Sequence, residues 1–462
     1  MKNFLLCFCF CLLSSWTIGQ VSYSLEMLDN WDDDSLPTHS FGTFNDVWGY
    51  AADGREYAIF GSSSFIHIFD VTEPTDIVEV AKIFAGPPTT WRDFKTFGDR
   101  LYCSVDGNPE GISIVDLSQL PESATLVKQL AANVGTSHNI YIEEEFGRLY
   151  VVGGPGSVAA YDLNNDPDNP EWLGALDLAQ TYIHDIYVRD NIAYCSSANE
   201  GLYIWDLTDF DNPVLLASLI TNGYNHSNWL SDDGQTLIVA EEVPLGLPLL
   251  SIDVSNMMDN DLEIITSFEM PTITDAASSG SVTPHNPYVL GDLLFVSYYE
   301  DGLHVYDWSD PANPIRVATY DSYPDNDDVN SDLYGYNDYS GNWGVYPYLP
   351  SGNILISDMD NGLFVLRLNE TTVSTQNIEG LVHLHTFPNP ASEYVNVAFH
   401  THEAMDLTLQ LTDVSGKILT QRKVRANGAF EESIDLSSFS QGMYFLNISD
   451  GNSSMVRKLT KI

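Results

Sequence analysis

Four histidines occupy equivalent places in a repeated sequence pattern. The stretches SHNIYI, IHDIYV, NHSNWL and PHNPYV carry them at their second position, as His138, His184, His226 and His285. The chain has 11 histidines, so four in one register indicate a shared role. Imidazole nitrogens backed by carboxylates suit zinc, manganese or another divalent transition ion better than calcium. We therefore predict a metal site at these four residues, with support from Asp93, Asp185 and Glu242.

Two other roles fit the same histidines. A histidine at the start of a strand can bond the backbone of the neighbouring repeat and keep the copies in register. An imidazole can also serve as a general acid or base. The chain has no GxSxG, HExxH, phosphate-binding glycine loop or CxxC pair, so no local motif indicates catalysis.

The histidines belong to a repeat that closes on an aspartate. Six apolar runs end in this way, at Asp70, Asp116, Asp162, Asp206, Asp253 and Asp307, and a seventh has Arg367 at that place. Successive aspartates are about 45 to 55 residues apart, near the period of four-stranded propeller blades. We expect each aspartate to cap the turn that leaves its strand, by accepting hydrogen bonds from backbone amides about two residues on.

The repeats predict the fold. Four strand-like stretches in each of seven repeats indicate a seven-bladed β-propeller over residues 21–368. The last repeat has three strands of its own, so we predict that residues 21–28 supply its fourth strand and close the ring. The first strand of a blade lines the axis, which brings the four imidazoles to one mouth of the central channel. The same register holds Asn45, Arg92 and approximately Trp343 in the other repeats.

The two cysteines of the central body are expected to stay reduced. Cys103 and Cys195 fall in the second strands of blades two and four, which are not neighbours. A disulfide needs its two α-carbons within about 7 Å, so we predict free, buried thiols.

Charge limits the partners. The chain of 462 residues has 65 acidic and 18 basic side chains and a formal net charge of -47. Neutralising phosphates requires a basic face, so we exclude nucleic acid as a partner. The negative field is expected to attract divalent cations or basic partners, with a strong dependence on salt. At 44% hydrophobic residues the chain can still bury an extensive core, so the acidity lies on a folded surface.

The two ends differ from the central body. Residues 1–20 begin with Lys2, continue with an apolar run and end in small and polar residues, which is typical of a secretory signal peptide. No other window has the apolar length of a membrane helix, so we expect no integral membrane segment after signal removal. Residues 369–384 open with the polar NETTVSTQN and are interpreted as a linker. Residues 385–462 are nearly neutral and form a separate domain.

Two insertions are expected to wall the histidine-lined mouth. Residues 272–282 and 323–342 lengthen the connections into blades six and seven, and long loops on a rigid scaffold are where recognition usually resides. The second insertion combines aspartates with tyrosines, a mixture suited to carbohydrate stacking or to calcium, although it lacks the EF-hand spacing. A glycan or another protein is therefore a further candidate ligand.

The body resembles the LVIVD-repeat proteins of the choice-of-anchor B family. The pieces that carry the resemblance are SHNIYI, YIHDIYV, NHSNWLSDDGQTLIVAEE, PHNPYVLGDLLFVSYYEDGLHVYDWSDP and WGVYPYLPSGNILISDMDNGLFVLR. The resemblance implies a secreted β-propeller whose relatives differ in how they attach to the surface. It brings no established reaction with it.

The C-terminal part resembles the type A sorting domain of the type IX secretion system found in Bacteroidetes. The matching motifs are FPNPASEYVNV, DVSGK, DLSSFSQGMYFL and the basic ending VRKLTKI, with Phe387 where a tyrosine is more usual. The resemblance implies a small β-sandwich over residues 385–462 that is read by the type IX machinery. It also implies export through the Sec pathway and then the outer membrane, to the cell surface or the extracellular space.

These observations favour a secreted or cell-surface binding scaffold over an enzyme. The scaffold would present its acidic, histidine-lined face to a metal ion, a glycan or another protein. The alternative is a metal-assisted extracellular hydrolase or lyase that uses the same site, since a propeller fold does not fix function.

Overall fold

Alternating apolar residues separated by glycine and aspartate turns place most of the chain in β-strands. The computed structural model describes residues 20–40, 42–107, 111–131, 133–154, 158–178, 180–268, 283–323, 339–373, 378, 380–387, 391–413, 417–451 and 453–461. Within these ranges the predicted all-β class is confirmed, and the helical structure is a single 3-10 turn at Met257–Asp259. The predicted signal peptide up to residue 19, the insertion at residues 272–282 and residues 324–338 of the second insertion lie outside them.

The chain divides into two compact units, one spanning Tyr23–Asn369 and one containing Glu370–Ile462. In the first unit, six antiparallel sheets each pair four consecutive strands in chain order. Three of these sheets comprise β2 (Phe44–Ala52), β3 (Arg55–Ser62), β4 (Phe65–Asp70) and β5 (Val78–Phe84); β6 (Phe94–Phe97), β7 (Arg100–Cys103), β8 (Ile112–Asp116) and β9 (Thr125–Leu130); and β10 (Asn139–Glu143), β11 (Arg148–Val152), β12 (Val158–Asp162) and β13 (Glu171–Leu176). The other three comprise β14 (Asp185–Arg189), β15 (Ile192–Ser196), β16 (Leu202–Asp206) and β17 (Val214–Leu219); β18 (Asn225–Leu230), β19 (Thr236–Glu241), β20 (Leu249–Asn256) and β21 (Asp261–Phe268); and β22 (Pro287–Leu290), β23 (Leu293–Ser297), β24 (Leu303–Asp307) and β25 (Ile315–Tyr320).

A seventh sheet joins distant parts of the sequence. It contains β26 (Asn342–Tyr346), β27 (Asn353–Asp358) and β28 (Gly362–Val373), and its fourth strand is β1 (Gln20–Trp31), which pairs with β28. The predicted role of residues 21–28 as the missing strand is therefore confirmed. β28 runs to Val373, past the predicted end of the repeat at residue 368, whereas the first compact unit ends at Asn369. The sequence TTV at residues 371–373 is β-branched and favours extended backbone.

The first strands of the seven sheets lie side by side. Contacts run from β2 through β6, β10, β14, β18 and β22 to β26, and β26 also contacts β2. Apolar clusters fill the space between successive sheets, as where Trp205 and Leu207 pack with Tyr150 and Val158. Side chains at the starts of the first strands are thereby brought together although they are far apart in sequence.

The closing aspartates cap their turns as predicted. In each case Oδ1 accepts a hydrogen bond from the backbone amide two residues on, at 2.7 to 3.1 Å. The pairs are Asp70 with Thr72, Asp116 with Ser118, Asp162 with Asn164, Asp206 with Thr208, Asp253 with Ser255 and Asp307 with Ser309. These carboxylates therefore hold the turns between third and fourth strands.

Asp358, at the end of β27, is a buried carboxyl that should make stability depend on pH. Its oxygens accept hydrogen bonds from Ser322 Oγ at 2.7 Å and from the backbone amides of Asp360 and Asn361 at 3.0 and 2.9 Å. Burial outweighs these bonds and raises the pKa of Asp358 to about 7. The folded state then holds the proton more tightly than the unfolded chain, so this group's contribution to stability falls as the pH rises through about 7.

Between pH 6 and pH 8 we expect the free energy of unfolding to fall more in the wild type than in Asp358→Asn, by on the order of 1 kcal/mol. Urea unfolding at both pH values measures this difference. Asp206→Asn, the same chemical change at a turn aspartate nearer to solvent, is the matched control. Parallel profiles for wild type and Asp358→Asn would contradict the expectation.

Cys103 and Cys195, the cysteines within the described ranges, are free and buried, as predicted. Burial raises the pKa of the Cys103 thiol to about 12 and also raises the pKa of Cys195. Neither thiol is therefore poised to react as a thiolate at neutral pH.

The C-terminal unit differs in one respect from the sandwich that was expected. It holds β29 (Leu381–Phe387), β30 (Tyr394–Asp413), β31 (Ile418–Asp435), β32 (Gly442–Ser449) and β33 (Ser454–Lys461). All five strands belong to one hydrogen-bonded sheet, because the long β30 pairs with β29 at one end, with β32 at the other and with β31 along most of its length. A register shift in the β30–β31 pairing, between Thr401 and Met405, separates the two halves of β30. Both halves contribute to one core that includes Phe399 and Leu411. The first strand of the unit, β29, starts at Leu381, four residues before the predicted start of the sorting domain at residue 385.

Candidate functional site

The four predicted histidines lie together at the starts of four adjacent first strands. Two of them directly precede a first strand, His138 before β10 and His184 before β14. The third, His285, lies two residues before β22, and His226 is the second residue of β18. The ring centroids are separated by 4.3 Å from His138 to His184, 4.2 Å from His184 to His226 and 4.4 Å from His226 to His285. The row continues to Trp343, whose ring lies 4.6 Å from that of His285. The structure thus forms an arc of imidazoles from residues 147 positions apart in the chain.

In three of the four rings, one nitrogen bonds the backbone of the next sheet. Nδ1 of His184 lies 2.9 Å from the carbonyl oxygen of His226, Nδ1 of His226 lies 3.1 Å from that of His285, and Nδ1 of His285 lies 2.6 Å from that of Trp343. A carbonyl only accepts hydrogen bonds, so Nδ1 carries the proton in each neutral ring. The hydrogen bond expected between a histidine and the backbone of the neighbouring repeat is therefore observed. It leaves the lone pair of Nε2 free. Structural support and metal ligation use different atoms and do not exclude each other.

The buried rings are held in the neutral form. Burial lowers the pKa of His226 and of His285 to about 3, and it lowers the pKa of His184 well below its ordinary value. Neighbouring imidazoles add to this effect, because two positive rings at this separation repel each other. A neutral imidazole is the form that binds metal ions, so these rings need not lose a proton at neutral pH.

His138 has a carboxylate in place of the carbonyl. Its Nδ1 lies 3.0 Å from Oδ2 of Asp106, whose Oδ1 accepts a hydrogen bond from Thr136 Oγ1 at 2.9 Å. Burial alone would raise the pKa of Asp106, but the bonds from His138 and Thr136 outweigh it and lower the pKa. A carboxylate that accepts from Nδ1 in this way fixes the orientation and the tautomer of the imidazole.

Glu242 completes a group of three convergent donors. One nitrogen of His226, one nitrogen of His285 and one carboxylate oxygen of Glu242 all lie within 4.8 Å of one another. Oε2 of Glu242 is 3.7 Å from Nε2 of His226, while its Oε1 accepts a hydrogen bond from the Tyr299 hydroxyl at 2.7 Å. Two imidazoles and a carboxylate are a ligand set that suits zinc.

These groups open onto a cavity of about 180 Å³, which we call the imidazole cavity. Its walls are formed by the four histidines, Glu242 and four aromatic side chains, Trp91, Tyr299, Tyr339 and Trp343. Tyr299 connects two of these walls, since its hydroxyl holds Glu242 and its ring lies 4.8 Å from that of His285. Sequence reasoning missed Tyr299, because its place beside Glu242 depends on a contact between two different sheets.

Asp93 and Asp185 do not line the imidazole cavity. They line a separate, smaller space of about 30 Å³ one residue further along the first strands. Asp93 pairs there with Lys95, whose Nζ lies 2.6 Å from Oδ1, and burial raises the pKa of Asp185 to about 7. Neighbouring side chains along a strand point in different directions, which places both carboxylates off the cavity wall, and their support of the histidines stays a prediction.

A second regularity follows each position in the histidine register. Three residues on, the chain has an aromatic residue in six sheets and Lys95 in the seventh: Trp48, Lys95, Tyr141, Tyr187, Trp229, Tyr288 and Tyr346. This pattern of aromatic residues can be read from the same alignment of the repeats that reveals the histidines.

Comparison with known proteins bears on the C-terminal unit. Residues 385–461 match the family described as a secretion system C-terminal sorting domain. This sorting tail indicates a protein handled by the type IX secretion machinery and exported across the outer membrane, to the cell surface or the extracellular space. No curated protein is significantly similar to the chain.

Among the described residues, no helix has the length and apolarity needed to cross a membrane.

Proposed function

We propose that this exported protein is a β-propeller scaffold that binds a divalent transition metal ion, zinc being the best fit, in the imidazole cavity. One observation carries the proposal: the Nδ1 atoms of His184, His226 and His285 are committed to backbone carbonyls. Their Nε2 lone pairs therefore remain for a ligand, next to the Glu242 carboxylate.

The propeller part of the proposal draws on the arrangement of the seven four-stranded sheets. Contacts between first strands return from β26 to β2, and β1 joins the last sheet. Both features fit seven blades closed into a ring, with residues 21–368 as the propeller and a short connection to the sorting domain. The resemblance to LVIVD-repeat proteins of the choice-of-anchor B family supports the same assignment.

The donor set favours zinc over calcium. His226, His285 and Glu242 would hold the ion, and His184 and His138 stand next in the arc to contribute a further nitrogen. Calcium prefers six to eight oxygen ligands, and imidazole nitrogens do not supply them. A bound zinc ion would contribute Lewis acidity and a fixed positive charge in a strongly negative protein.

A metal-assisted extracellular hydrolase or lyase is the second candidate. It is favoured by the number of convergent donors, since three protein ligands leave a fourth position for water or substrate in catalytic zinc sites. The scaffold is preferred because the sequence has no catalytic motif and because Glu242 is already engaged by Tyr299.

Elemental analysis tests the metal site directly. The protein is purified, stripped with a chelator, reloaded with zinc, manganese or calcium and dialysed. We expect about one zinc per chain, retained in excess calcium. Failure of zinc to bind at micromolar concentrations would overturn the proposal. The loaded protein is then assayed against a panel of ester, peptide and glycoside substrates, where zinc-dependent turnover would favour the enzyme over the scaffold.

A further inference from the structure

The far ends of the first strands surround a second cavity. It has a volume of about 390 Å³, and its lining includes Trp48, Lys95, Tyr141, Tyr187, Trp229, Tyr346 and Tyr348, with Glu143, Glu144, Glu145, Arg189 and Asp190. We call it the aromatic cavity. A first strand such as β14 runs from His184 at one end to Arg189 at the other, so the two cavities are separated by roughly 15 Å.

Aromatic rings form a nearly continuous wall. Ring centroids are 4.8 Å apart for Tyr187 and Trp229, 5.1 Å for Tyr141 and Tyr187, and 4.8 Å for Trp48 and Tyr346. Trp48, Tyr141, Trp229 and Tyr346 are only partly buried, so parts of these rings remain accessible. Aliphatic residues would fill a core as well, whereas repeated aromatic residues add negative π faces to the wall.

An ammonium group already occupies one side of this wall. Nζ of Lys95 lies 4.3 Å from the centre of the Trp48 ring, in cation–π geometry. The charge of Lys95 is balanced by Asp93 at 2.6 Å, and its side chain is almost wholly buried. Lys95 therefore shows that the wall accommodates a cation, while the Asp93 carboxylate neutralises the charge of Lys95 itself.

The rim of the aromatic cavity is acidic. Glu144 and Glu145 follow β10 and are exposed, and Asp190 follows β14. Arg189 is the one cationic side chain at the rim among the described residues that line it, and its Nη1 donates to the carbonyl of Ser231 at 3.0 Å. Carboxylates at the rim and π faces within both favour a positively charged ligand.

We propose that the aromatic cavity binds an organic cation, an alkylammonium or guanidinium group, carried by a small molecule or by a lysine or arginine side chain of a basic peptide. The π faces contact the cation and the rim carboxylates attract it. The site is independent of the imidazole cavity and requires no metal.

Choline and its uncharged isostere 3,3-dimethylbutan-1-ol test the proposal, because they share shape and differ in charge. Binding to the full chain is measured by titration calorimetry and by tryptophan fluorescence, since Trp48 and Trp229 line the cavity. We expect choline to bind at least about tenfold more tightly than the alcohol, and more weakly as salt is raised. A short oligoarginine peptide distinguishes a peptide source from a small-molecule source.

Variants locate the binding. Glu144→Gln with Glu145→Gln leaves the buried wall intact and should weaken choline binding about threefold to tenfold. Glu171→Gln, an exposed change on β13, is the matched control and should have no effect. Tyr346→Leu, checked for an unchanged melting temperature, should weaken binding further by removing a π face.

Equal binding of choline and the alcohol would overturn the proposal, as would binding that the Glu144 and Glu145 changes leave unaltered. Binding of a neutral disaccharide in preference to choline would also overturn it and would identify a carbohydrate site instead.

Discussion

Replacing His226 and His285 by asparagine is expected to lower the zinc affinity of the imidazole cavity by at least about a hundredfold. Each substitution removes an Nε2 atom from the three convergent donors. Asparagine is chosen because its Nδ2 can replace the Nδ1 donor to the neighbouring carbonyl. The same register in the first sheet already holds Asn45, whose Nδ2 donates to the carbonyl of Ser62 in the same sheet at 3.3 Å, so this position accommodates an asparagine. Competition with a fluorescent zinc chelator measures the change.

His400 and His402 provide the control for this pair. Both are exposed in the C-terminal unit, and their joint replacement by asparagine should leave zinc affinity unchanged. Unchanged affinity in the His226 and His285 variant, with the fold intact, would show that zinc binds elsewhere. A melting temperature that falls without any change in zinc affinity would show that the histidines serve only to join the sheets.

Lys95→Met should be among the most destabilising single changes in the first unit, by about 3 to 5 kcal/mol near neutral pH. Nζ of Lys95 lies 2.6 Å from Asp93, and Asp46 lies close enough for Asp93 to raise its pKa, after the larger effect of burial. Removal of the ammonium group leaves these buried carboxylates without a cation, whereas methionine preserves most of the side-chain volume. Chemical unfolding of the purified protein measures the loss.

Acid should partly restore the Lys95→Met variant. A carboxyl with a raised pKa in the folded state contributes more stability as the pH falls, because it takes up a proton on folding. We therefore expect the gap between variant and wild type to narrow from pH 7.5 to pH 5.5. Lys82→Met, which removes an exposed lysine 4.7 Å from the Phe65 ring, is the control and should cost about 1 kcal/mol or less. A gap that stays constant with pH would mean that lost packing, rather than unpaired charge, causes the destabilisation.

The repeat was the most informative feature of the sequence. The spacing of the closing aspartates predicted both the four-stranded sheets and the cap hydrogen bonds that are observed. The shared register of the histidines predicted that they would meet, because equivalent positions of adjacent sheets lie side by side. Periodicity thus carries information about contacts between distant residues.

The direction of side chains along a strand, and contacts between side chains of different sheets, were harder to predict. Three of the first strands, β2, β18 and β26, contain register shifts, as between Asn225 and Ser227, so side-chain directions there do not follow simple alternation. Asp93 and Asp185 lie outside these shifts and line the smaller space because side chains of neighbouring residues along a strand point in different directions. The contact of Tyr299 with Glu242 joins side chains of different repeats and leaves no signal in a single sequence.

The pairing of β1 with β28 has a consequence for how the protein matures. A sheet that takes its outermost strand from residues 20–31 can be finished only after the roughly 330 residues between β1 and β28 have been synthesised. The opening segment must stay unfolded and available throughout that interval. A protease that trimmed a dozen residues from it would leave the backbone of β28 open to strands of other molecules, and such a product would tend to aggregate.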